Sequence, residues 1–182
     1  MRNIVLGMIA LCLQSIGAQQ VTSEIRRLPP SDFAGLPISL RAKLAEMGCT
    51  VPQSFADSKP HNVIRAEFAK KGQTDYAALC SRKGASAIVV FWGGPAQCKE
   101  SEIERGADSN WLQGTASNRM EYSRKLGVAD AKSIRRYHSA FGSEQKLPKL
   151  LDHSGIDDVF LEKASVILYC HQGEWLRLQG AD

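Results

Sequence analysis

The chain has 182 residues, a formal net charge of +4, 43% hydrophobic residues and 23% charged residues. That length, even without a leader of 18 residues, is enough for one domain with a core. The charge balance is too mildly basic to argue for nucleic acid or a membrane surface as a partner.

The first predicted element is a leader. Residues 1–18 have the form of a secretory signal peptide: Arg2 is the positive start, 4–13 a short apolar run, and Ser15, Gly17 and Ala18 the small residues near a cut. The apolar run is far shorter than the ~20 residues of a spanning helix. Residues 19–35 are polar with a stiff Pro29-Pro30 break, and are expected to form a flexible N-terminal arm ahead of a single domain at 36–182.

"PISLRAKLAEMG" predicts a helix over about 38–47, with Leu40, Leu44 and Met47 on one face and Gly48 as the stop. "NVIRAEF" (62–68), "DYAALCS" (75–81) and "SAIVVFW" (86–92) read as strands, the last two joined through Arg82-Lys83-Gly84-Ala85. The apolar run in "SAIVVFW" is continuous, as expected of a strand buried on both faces. From 96 to 130 the pattern weakens: "KESEIERG" reads as an exposed turn or short helix, and "NWLQG" as a place that buries Trp111 and Leu112. "ADAKSIRRYHSAF" recovers helical spacing over about 130–141, with Ala131, Ile134, His138 and Phe141 on one side and Lys132, Arg135 and Arg136 off it. The C-terminal "DVFLEKASVILYCHQGEWLRLQG" predicts strands over about 158–178 turning at Gln172-Gly173, with Glu162-Lys163-Ala164 as a bulge or extra turn. The expected fold class is α+β: one compact domain with antiparallel hairpins at about 62–92 and 158–178 and helices between.

Cys12 leaves with the leader, and Cys49, Cys80, Cys98 and Cys170 remain. Four cysteines in an oxidising compartment allow three pairings. Cys49–Cys80 with Cys98–Cys170 is favoured, because the first ties the helix end to the nearby hairpin and the second ties the segment after it to the C-terminal hairpin. No C-x-x-C or His-x₃-His spacing marks a metal site, and no cofactor is expected.

Gly72-Gln-Thr-Asp75 recurs as Gly155-Ile-Asp-Asp158, each leading towards a strand and then a hydrophobic run. "AEFAKKGQTDYAAL" resembles a degenerate FG-GAP or VCBS-type repeat, covering residues 66–92 with an echo at 152–170. The family's calcium positions fall on Glu67, Ala69, Lys71 and Asp75. Ala69 offers no side-chain oxygen and Lys71 places a cation where calcium needs an anion, so the loop is expected to be kept and the metal lost. The resemblance implies a secreted or cell-surface setting. Two copies do not make a propeller of about four to eight blades. "CTVPQ" and the C-terminal "EKASVILY" and "GEWLRLQGAD" are also similar to small exported bacterial proteins, which implies no particular chemistry.

No Gly-x-Ser-x-Gly elbow, His-Glu-x-x-His pair or Walker loop is present. His61 reads as a loop residue and His138 as a helix-face residue. The densest polar group is Asp152-His153 with Asp157-Asp158, the candidate site of a secreted hydrolase. Arg124, Lys125, Lys132, Arg135 and Arg136 make the middle of the chain locally basic, and an anionic partner is expected to dock there beside Trp92 or Trp111. The favoured function is a monomeric secreted or periplasmic binding module. Its partner would be an anionic envelope component or an extracytoplasmic protein, not nucleic acid.

Overall fold

A computed structural model describes residues 25–115, 119–141 and 146–181. The predicted leader and residues 19–24 of the arm lie outside the described residues. The chain runs through β1 (Arg27–Leu28), α1 (Ile38–Glu46), β2 (Val51–Pro52), β3 (Val63–Ala66), β4 (Asp75–Arg82), β5 (Ala85–Phe91) and β6 (Glu102–Ala107). It continues through β7 (Leu112–Gly114), β8 (Met120–Tyr122), β9 (Arg124–Ala129), α2 (Ala131–Phe141), β10 (Gly155–Phe160), β11 (Ala164–His171) and β12 (Glu174–Gln179). All strand pairs are antiparallel, and the class is α+β as expected.

Two four-stranded meanders, β3-β4-β5-β6 and β9-β10-β11-β12, carry the fold, and two short ribbons, β1-β2 and β7-β8, border them. Side-chain alternation builds three apolar clusters from these sheets. Ala77, Leu79, Ile88 and Val90 face Leu126, Ile156 and Leu168 across a shared interior. The alternate residues Ala78, Cys80, Val89 and Phe91 face outward and are covered by Phe33, Leu36, Leu44 and Val51. On the far side, Ala129, Ile167, Tyr169 and Leu178 are covered by Ile134 of α2 and by Leu151. The order is therefore helix, sheet, sheet, helix. β4 and β5 read as continuous apolar runs because both of their faces are inside.

Local chemistry fixes the ends. Gly48, at φ +71°, ends α1: its amide donates to Ala45 O and the Cys49 amide to Leu44 O, the paired bonds of a left-handed C-terminal cap. Cys49 then joins Cys80 of β4, and Cys98 joins Cys170 of β11, the favoured pairing. The hairpins turn at Lys83-Gly84 and Gln172-Gly173, all four residues at positive φ, as two-residue turns matching strand twist require.

Several expectations are corrected. Within the described part of the arm, Pro30 and Phe33 are buried and β1 pairs with β2. "KESEIERG" contains β6, an edge strand whose charged residues disguise its alternation. Residues 112–129 hold three more strands. Tyr137, not Phe141, packs with Ile134 in the far-side cluster; Phe141 is 45% exposed and stacks on Tyr137.

The shared interior also holds an ion pair. Arg124, fully buried, donates twice to Asp158 at 2.8 Å. It also reaches Glu104 O at 3.0 Å, Ser86 Oγ at 3.4 Å and the Trp111 ring face at 4.3 Å. Arg124 and Asp158 belong to one sheet, Glu104 and Ser86 to the other, so this cation joins the two sheets.

Candidate functional site

The stretch "PQSFADSKPHN" (52–62) leaves β2 and returns to β3, and its polar side chains replace a strand ladder. Gln53 Nε2 donates to the carbonyls of Val51, Pro52 and His61, and Gln53 Oε1 accepts from the His61 amide at 2.8 Å. Asn62, buried and at φ +69°, stands where the two sheets meet. Its side chain donates to Pro52 O at 2.7 Å and Arg124 O at 3.1 Å, and accepts from the Leu126 amide at 2.9 Å. Asparagine suits the place because it tolerates positive φ and offers both donor and acceptor.

Within this braced neck, His61 closes the loop. Its Nδ1 lies 2.9 Å from Lys59 O, which can only accept, so Nδ1 carries the proton. Nε2 is then the acceptor, and both the amide and the hydroxyl of Ser54 lie 2.8 Å from it. Burial, ahead of the other influences, pushes the imidazole pKa below its ordinary value. Asp57 is held below the usual carboxylate range by the Lys59 amide, which donates to it at 2.9 Å. Ser54 and His61 are not arranged as a nucleophile and its base. The single lone pair of Nε2 is already taken by an amide that cannot give up its proton.

The loop forms one wall of an open groove of about 940 Å³. Gln53, Ser54, Phe55, Asp57 and Ser58 line it from this side. Ile25, Arg26 and Arg27 line it from the arm, and residues 119–122 from β8 and the residue before it. The Phe55 amide donates to Tyr122 O at 3.0 Å and fixes the floor. Burial raises the Tyr122 phenol well above its ordinary pKa, so it stays neutral and bonded to Ser86 at 3.1 Å. The three arginines differ. Arg27 is committed to Asp108 at 2.7 Å, and Arg119 to Glu121 at 3.0 Å on an exposed edge. Arg26 donates to Ser58 O at 3.0 Å and has no carboxylate partner among the described residues. Lys125 of β9 is close enough to act on Asp57 and His61.

The residues singled out from the sequence are scattered. Arg124 is interior and is no part of a basic face. Lys132, Arg135 and Arg136 do lie exposed on α2, where Arg136 rests on the Tyr137 ring and donates to its hydroxyl at 2.8 Å. Trp92 stacks on Trp175 at 5.7 Å and Trp111 lies edge-on to Phe160 at 5.6 Å, and both tryptophans pack against the shared interior. Asp152 is exposed, and His153 lies flat on Tyr169 at 4.2 Å. Asp157 and Asp158 are successive residues of one strand and so point to opposite faces. The four do not converge.

Asp75 holds together the loop over residues 68–75. Its Oδ2 accepts the amides of Phe68 and Ala69 at 2.9 and 3.1 Å; its Oδ1 accepts the Gly93 amide at 2.9 Å and Gln73 Nε2 at 2.8 Å. The carboxylate closes the turn onto the end of β5. Among the described residues no group of three or more His, Cys, Asp or Glu side chains is placed to hold a metal, and no helix is long and apolar enough to cross a membrane.

The groove's residues carried little sequence signal, since three segments far apart in the chain build it. Ser54 and His61, seven residues apart around Pro60, were the available clue. No protein-family model, curated protein or solved structure matches the chain.

Proposed function

We propose that the protein is an extracytoplasmic binding module, stapled by its disulfides, that holds an anionic, hydroxyl-rich glycan of the cell envelope in the groove between the arm, the 53–61 loop and β8. Two disulfides and a leader-like N-terminus support the compartment, since such bonds persist where the surroundings oxidise. The likeness of residues 66–92 to repeats of secreted and cell-surface proteins points the same way.

The observation that carries the ligand class is the pairing state of the groove's charges. Arg26 is oriented by a carbonyl and has no carboxylate partner among the described residues, with Arg119 and Lys125 nearby. Asp57 and Glu121 line the same groove. A uniformly acidic peptide would be repelled by those carboxylates. A uronate polymer alternates carboxylates, which suit guanidinium, with hydroxyls, which donate to Asp57 and Glu121.

Calorimetric titration with oligogalacturonate tests this, with a neutral oligosaccharide of the same length as control. Arg26→Ala with Arg119→Ala should weaken binding at least about tenfold, equal to about 1.4 kcal/mol. Arg135→Ala with Arg136→Ala should leave binding within about twofold, since their exposed charges act only through a screened field. Equal binding of the neutral sugar, or loss confined to the α2 variant, would contradict the proposal.

A further inference from the structure

The loop that walls the groove is shut by a bond that only neutral histidine can make. His61 Nδ1 donates to Lys59 O at 2.9 Å, and Nε2 accepts the Ser54 amide at 2.8 Å. A proton added to Nε2 would face that amide hydrogen at the same distance. The Ser54 hydroxyl, also 2.8 Å away, can turn to accept the new N–H, but the amide is left without its acceptor.

We infer that protonation of His61 releases Ser54 and loosens residues 54–60, so that acid opens one wall of the groove. The neck below remains, because the Gln53 brace uses the backbone of His61 and is indifferent to the ring's charge. The Phe55 amide on Tyr122 O and Arg26 on Ser58 O become the loop's remaining ties. The charges around the ring favour release over accommodation. Asp57 attracts the new cation, whereas Lys125 from β9 and Arg26 from the arm repel it, and Lys59 in the loop adds a further positive charge to the neighbourhood. Burial likewise holds the folded ring below its ordinary pKa of 6.5. An unfolded chain therefore binds this proton more readily than the folded one. The loop's contribution to stability is therefore complete above pH 6.5 and is lost as pH falls from there through the folded value.

As control of ligand binding the latch rests on the groove function proposed above; the movement of the wall does not. Amide exchange of the ligand-free protein reads the movement directly. Between pH 7.5 and pH 5, after correction for intrinsic rates, the Ser54 amide should lose at least about tenfold of its protection. The Leu79 amide, which donates to Asn62 O beneath the neck, should keep its own. His61→Gln places a non-titrating acceptor near Nε2 and should make Ser54 protection independent of pH. In the unsubstituted protein, ¹⁵N shifts of the ring should show protonated Nδ1 and bare Nε2 at pH 7.5, titrating with the same midpoint as the exchange. Constant Ser54 protection, or a ring that carries its proton on Nε2, would overturn the latch. Oligogalacturonate affinity should fall with pH in the unsubstituted protein more than in His61→Gln. Failure to bind at any pH contradicts the ligand class alone, because the exchange result judges the latch without it.

Discussion

Arginine is used in two opposite ways in this molecule. Between the sheets, Arg124 is fully buried and its donors end on Asp158, Glu104 and Ser86. At the groove, Arg26 is exposed and rests on one carbonyl. The first cation has no capacity left for a ligand and holds structure together. The second is placed by that carbonyl and has no carboxylate partner among the described residues. Positive charge in a sequence therefore identifies neither role; the number of partners already supplied by the chain does.

That contrast can be broken most severely from the interior. Asp158→Ala leaves Arg124 buried without its anion and should cost about 3–5 kcal/mol in denaturant unfolding, while replacing both partners by apolar residues should recover much of the loss. Replacing Cys98 and Cys170 by alanine removes a link across 72 residues and should cost about 2–4 kcal/mol. Asn62→Ala removes three side-chain bonds and leaves buried groups at Pro52, Arg124 and Leu126 without that partner, a loss of about 2 kcal/mol or more.

What the sequence disclosed divides along the same line. The helix at α1, strands β4 and β5 and the Gln172-Gly173 turn are written in neighbouring residues, as apolar runs, spacing and glycine at a turn, and all are found. So is the disulfide pairing. β6 was hidden because its charged residues and a register shift opposite Ser86 and Ile88 interrupt the alternation, and β9 because its inward residue Arg124 is charged. Arg124 looks like a surface residue until the partner 34 positions away is known to face it. The groove was hidden for a related reason: its walls are assembled from residues 25–27, 53–58 and 119–122. Local pattern also misplaced Asp157 with Asp158 in one cluster, although strand alternation sends them to opposite sheet faces.

Asp157 offers a smaller test. Its carboxyl is pushed above the ordinary 3.8 by burial, and its Oδ1 has no partner among the described residues. A raised folded pKa means stability that is complete below 3.8 and lost as pH rises through the folded value. Asp157→Asn should therefore stabilise the protein at neutral pH, by less than about 1 kcal/mol, with the gain vanishing in acid. The smallest effect sharpens the comparison with Arg124. Arg26→Ala should change stability by no more than about 0.5 kcal/mol, because an exposed side chain with one carbonyl contact holds little structure together.

The most direct measurement is a map of backbone amide shifts on adding oligogalacturonate to the labelled protein at neutral pH. Changes confined to residues 25–27, 53–61 and 119–122, and abolished by Arg26→Ala with Arg119→Ala, are the predicted result. Changes centred instead on Lys132, Arg135 and Arg136 of α2 would contradict the groove as the binding site and assign the ligand to the exposed helix.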